Sequence, residues 1–70
     1  MNNTEFRVAV ARAGISNREL AGDLGLSEQA LYNKMSGRSE FKNSEIKKIA
    51  VILKLSMEAV NSIFFDSIVN

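Results

Sequence analysis

Apolar residues recur along this chain in short stripes of helical period, each bounded by a residue that can start or stop a helix. Phe6, Val10 and Ala13 fall at i, i+4 and i+7, which predicts a first helix over 4–13 with Asn2 or Thr4 as its cap and Gly14 as its stop. Arg7 and Arg12 fall mainly on its outer side, and Ile15 is expected under the start of the next helix. Ile46, Ile49, Ala50 and Leu53 mark a helix capped by Asn43 or Ser44, and Ser56 opens a last one with Val60, Ile63 and Phe64 facing inward. Glu58 then sits near the positive end of that helix's dipole. Between Gly37 and Asn43 the pattern breaks, so a loop is expected there with Phe41 as its buried anchor.

The most informative stretch is Ser16–Gly37, SNRELAGDLGLSEQALYNKMSG. Ser16 followed three residues later by Glu19 has the spacing of a capping box. Leu20, Ala21 and Leu24 form the apolar stripe, and Gly25 stands where a left-handed residue must end the helix. Ser27 caps a second helix in which Ala30, Leu31 and Met35 face inward, while Glu28, Gln29, Tyr32, Asn33 and Ser36 face out, and Gly37 ends it. Two short helices joined by a glycine turn, with the small Ala21 allowing a close crossing, make a helix-turn-helix over 16–37. An ordinary helical hairpin uses the same capping and stripe signals.

On residues 16–37, and from about Thr4 to Phe65, the chain resembles the Cro/C1-type helix-turn-helix family of phage and bacterial regulators. The segments SEQALYNKMSGRSEF, NSEIKKIAVILKLS and SIFF look especially like short one-domain proteins of temperate phages of Gram-positive bacteria. The resemblance implies an all-α, five-helix bundle of the lambda-repressor-like DNA-binding type, as one domain over 1–70. Lys34 departs from it, standing where many members carry an apolar residue; Met35, four residues after Leu31, is expected to fill that space.

Helix 27–36 is then the expected reading helix, entering the major groove of double-stranded operator DNA. Gln29 and Asn33, four residues apart, each carry an amide able to pair with adenine N6 and N7. Glu28 can accept from cytosine N4, and Tyr32 can meet a thymine methyl or a phosphate. Asn17 and Arg18 lie at the positive end of the preceding helix, a place for a phosphate. Lys34, Arg38 and Lys42 are further phosphate candidates, the last two because in the family the loop after the reading helix follows the backbone.

Composition narrows the alternatives. Seventy residues make one domain, and 46% apolar content provides for a core without staples. The chain has no Cys and no His, so disulfides are excluded and the commonest general base and metal ligand are absent. Its carboxylates are scattered, no nucleophile has a base beside it, and no Gly-rich phosphate loop occurs. The sequence therefore reads as no enzyme, with no cofactor, no metal and no small-molecule substrate. Net charge is only +1, yet from Lys34 to Lys54 six bases (Lys34, Arg38, Lys42, Lys47, Lys48, Lys54) face two acids, Glu40 and Glu45. No secretory leader is expected from the polar start, and the longest apolar run, Ile49–Leu53, is far too short for a bilayer. A place in the bacterial cytoplasm, with no membrane partner, is the expectation.

Val51, Ile52, Phe65, Ile68 and Val69 exceed what one face of each terminal helix requires. Such a surplus marks a partner surface or a tail folded over the core. A single domain covers one half-site, so a homodimer is expected, with Phe65, Ile68 and Val69 as its interface. Two functions stay open: a regulator of a phage lysogeny/lysis switch that binds operators, or an antirepressor that modulates repression by binding the phage's main repressor protein.

Overall fold

A computed structural model describes residues 1–65. Those residues form five α-helices and no strand: α1 (Asn3–Ala13), α2 (Asn17–Leu24), α3 (Glu28–Met35), α4 (Asn43–Ile52) and α5 (Met57–Phe64). No helix among them is long and apolar enough to cross a membrane.

Side-chain oxygens start four of the five helices. Asn2 Oδ1 accepts from the Glu5 amide at 3.1 Å, Ser27 Oγ from Ala30 at 3.0 Å and Ser56 Oγ from Ala59 at 3.0 Å. At α2 the capping box closes both ways, with the Glu19 amide donating to Ser16 Oγ at 3.0 Å and the Ser16 amide to Glu19 Oε1 at 2.9 Å. Each such cap stabilises its helix by about 1 kcal/mol. The cap expected for α4 is displaced: neither Asn43 nor Ser44 performs it. Lys42 occupies the position, its side chain has no oxygen to offer, and Glu45 alone reaches back to the Lys42 amide at 2.8 Å.

The stops are more varied than the starts. Gly14 and Gly25 both end their helices at φ 72°. After Gly25 the chain doubles back at once, the Leu26 amide donating to Ala21 O at 2.8 Å. α3 ends at Met35, and Ser36 remains right-handed before Gly37 turns left-handed at φ 90°. α4 is closed by a residue with a side chain in the left-handed region, Lys54 at φ 55°, which brings the Leu55 amide to Ala50 O at 2.9 Å.

α2 packs mainly on α3, α1 on α5, and α2 also touches α4. Between them lie Phe6, Val10, Leu20, Ala21, Leu24, Leu31, Met35, Ile49, Leu53 and Ile63. Phe6, Leu20, Leu31 and Ile49 are fully enclosed, each contributing roughly 1.5–3 kcal/mol relative to exposure. Ala21 is also enclosed, consistent with a close crossing. Ala13, expected in the stripe of α1, is exposed instead, as the last residue of that helix, at a groove it shares with Ile52, Leu53 and Lys54. Ile15 is half-buried against the core as expected, and Ile46, Ala50, Val60 and Phe64 are half-buried.

Phe41 anchors the loop between α3 and α4 through an aromatic triangle. Its ring centroid lies 5.6 Å from Phe6 and 5.7 Å from Phe64, and those two are 6.0 Å apart. Tilted and edge-on pairs at such distances are favourable beyond their buried area. α1 is further tied to α5 by the Asn2 amide donating to Ile63 O at 2.6 Å and by the Ser62 hydroxyl donating to Glu5 Oε1.

Candidate functional site

α3 is divided lengthwise. Leu31 and Met35 are buried against α2 and the core, while Glu28, Gln29 and Tyr32 are exposed. Asn33 lies between these sides and is half-buried. The Gln29 Nε2 donates to Asn33 Oδ1 at 3.1 Å, a contact one helical turn long. That bond leaves Gln29 with its carbonyl oxygen and one N–H, an acceptor and donor side by side, and leaves Asn33 with its NH2 group.

The turn at Gly25 brings the start of α2 beside this face. Asn17, the first residue of α2, shares a cleft with Glu28, Gln29 and Tyr32, floored by Leu31 and Met35. Arg18 is exposed one residue further along. Free amides and the positive end of a helix dipole favour an anion at such a start. Arg38 and Lys42 are exposed on the loop that leaves α3, and neither forms an ion pair among the described residues.

Lys34 does not join them. Its ammonium lies 3.0 Å from Glu45 Oε1, donates to Glu40 O at 3.1 Å and sits 5.9 Å from the Phe41 ring centroid. The side chain is 12% exposed and its charge is paired within the fold, unlike those of Arg38 and Lys42. Position 34 thus has an inward environment, which Lys34 meets by burying its stem and pairing its tip.

Glu45 was not among the expected site residues. It is the one buried charged residue among those described, 8% exposed. Burial pushes its carboxyl up, but the Lys42 amide, the Lys34 hydrogen bond and the charges of Lys34 and Lys42 outweigh this and hold it below its ordinary value. The spacing Lys42–Glu45 carried the signal, since a glutamate three residues into a helix reaches back to the first amide. Without Ser or Thr at the cap that signal is easily passed over.

Phe65 is 43% exposed, at the rim of a groove also lined by Met1, Phe41, Ile46 and Phe64. Ile68 and Val69 lie outside the described residues. No group of three or more His, Cys, Asp or Glu that could hold a metal ion occurs among the described residues.

Residues 7–67 match the model of a family described as "Protein of unknown function (DUF739)", and the chain belongs to that family. No curated protein and no solved structure matches it.

Proposed function

We propose that this member of the family is a small Cro/C1-type regulator with the lambda-repressor-like helix-turn-helix fold, reading duplex DNA with α3 in the major groove. One observation carries the reading: α3 buries Leu31 and Met35 while leaving Glu28, Gln29 and Tyr32 in solvent, beside the start of α2. A helix held rigidly from behind with a polar outer face is the shape a groove reader requires. Gln29 pairs with adenine through its remaining acceptor and donor, and Asn33 holds the Gln29 amide in plane while offering its own NH2. Asn17, Arg18, Arg38 and Lys42 contact phosphates on either side. In this role the protein acts on an operator of a phage lysogeny/lysis switch in a bacterial host, as a regulator without catalysis.

The test uses the purified chain and a randomised duplex library, followed by fluorescence anisotropy on a selected duplex. Affinity for that duplex falls steeply as salt rises. Gln29→Ala loses roughly 1–3 kcal/mol on it and relaxes preference at one base pair. No duplex enriched at low salt, or an equal loss on every sequence, overturns the reading.

A second reading is favoured by Glu28, whose exposed carboxylate lies on the face that would approach phosphates. It makes the chain an antirepressor that covers part of the phage's main repressor with the same α3 face. Tight binding to that repressor together with no duplex affinity selects it.

A further inference from the structure

Val51 is the most exposed large apolar side chain among the described residues, at 77%. It stands on α4 one turn after Lys47, and the half-buried Ile52 follows Lys48 by the same interval. Together they line a shallow groove between α4 and α2, and Asp23 of α2 completes it. Asp23, Lys47 and Lys48 are exposed, and none forms an ion pair among the described residues. No residue of the α3 face borders this groove. Val51 and Ile52 belong to the apolar surplus of the sequence but lie apart from Phe65.

The arrangement of charge selects the occupant. An apolar centre carries a carboxylate on its α2 side and two ammonium groups on its α4 side. A nucleic acid or a wholly acidic partner would press negative charge onto Asp23, and a basic partner would meet Lys47 and Lys48. A two-fold axis lying in the contact plane and running along the groove removes both conflicts, because it brings each copy's α2 side to the other's α4 side. Isologous contacts are self-complementary in this sense.

The geometry points to this groove as the contact between two copies of the chain, with Val51 packed on Val51 or Ile52 and Asp23 of each copy facing Lys47 and Lys48 of the other. The apolar centre is small, so the contact belongs to the weak, reversible class below about 1,000 Å² of buried surface. It places the pairing surface on the α2–α4 flank instead of at Phe65. It does not depend on the DNA-reading proposal, since its test contains no nucleic acid.

Sedimentation equilibrium of the full chain from about 5 to 500 μM reads the outcome. The wild-type mass rises from monomer toward dimer across this range, and the rise weakens with salt. Val51→Glu stays monomeric throughout with an unchanged helical CD spectrum and melt, since the site is solvent-facing. Asp23→Lys alone, and Lys47→Glu with Lys48→Glu, each weaken association by tenfold or more. An equimolar mixture of these two variants regains dimer mass, because both ends of the two-fold contact then join opposite charges. A wild-type chain that is monomeric at every concentration overturns the proposal. So does a mixture no more associated than its components, or a dimer that survives Val51→Glu and is lost in Phe65→Ser.

Discussion

The turn between α2 and α3 and the junction between α3 and α4 do the same mechanical task by different chemistry. At the first, every device is local: the Ser16–Glu19 box, the Gly25 turn at φ 72° and the Ser27 cap each join residues at most five apart. At the second, a half-buried ammonium spans eleven positions, binding Lys34 to Glu45 and to the loop carbonyl of Glu40 over the Phe41 ring. The local joint rests on near-neighbour contacts, and its Gly25 turn and Ser27 cap carry no ionisable group. The distant one depends on a charge pair and is open to acid. The α2–α3 pair is therefore held by near-neighbour contacts, while the segment bearing Arg38 and Lys42 is held by a tie that titrates.

The largest effect that can break this comparison comes from the shared core beneath both joints. Leu31→Ala removes a fully enclosed side chain and lowers unfolding free energy by about 2–5 kcal/mol in urea denaturation. It loosens both joints together; a loss below about 1 kcal/mol would show that the core closes without it.

Next in size is the distant tie. Lys34→Met or Glu45→Gln alone costs about 1.5–3 kcal/mol, because each leaves a charged or polar partner unmatched. Lys34→Met combined with Glu45→Leu costs much less than the two single losses summed, since apolar groups can replace a buried pair. A double-mutant cycle of thermal melts measures the coupling. Glu45 titrates below its ordinary value when folded. Its contribution is therefore complete above the unfolded carboxyl's pKa and is lost as pH falls through the folded one. Glu45→Gln flattens that acid limb of the stability curve, whereas an unchanged limb would remove the pair from the account.

Smaller still is the test of the local joint. Gly25→Ala places a Cβ in open space, so its cost is the left-handed backbone alone, about 1–2 kcal/mol and independent of pH. The smallest effect has the opposite sign. Lys54→Gly relieves a left-handed residue with a side chain and raises stability by about 1 kcal/mol, read as a higher midpoint in urea.

The same division explains what the amino-acid order revealed. The caps at Ser16, Ser27 and Ser56, the stop at Gly25 and the inward Leu20, Leu24 and Leu31 are written in spacings of three and four and give α2, α3 and α5, while Phe6, Val10 and Gly14 give α1 and Ile46, Ile49 and Leu53 give α4. The exposed set Glu28, Gln29 and Tyr32 follows too, as the far side of the α3 stripe. The pairing of Lys34 is not legible in the amino-acid order, because an exposed-looking lysine turns inward only when Glu45 and Phe41 arrive from other parts of the chain. Lys54 closing α4 is equally hidden, since nothing in the stretch ILKLS announces a left-handed lysine; the tertiary seat of Leu53 and Leu55 holds it there. Ala13 fits its stripe but is exposed as the last residue of α1.

The triangle of Phe6, Phe41 and Phe64 has a consequence for the order of assembly. Its corners come from the opening helix, a mid-chain loop and the closing helix, so this cluster can be completed only when the whole span from 6 to 64 has been gathered. Residues 16–36 can condense earlier through near-neighbour contacts. Amide exchange should accordingly find the 38–42 segment opening in concert with both termini, and a cut that frees α5 should release that segment while leaving the central hairpin the last part to melt.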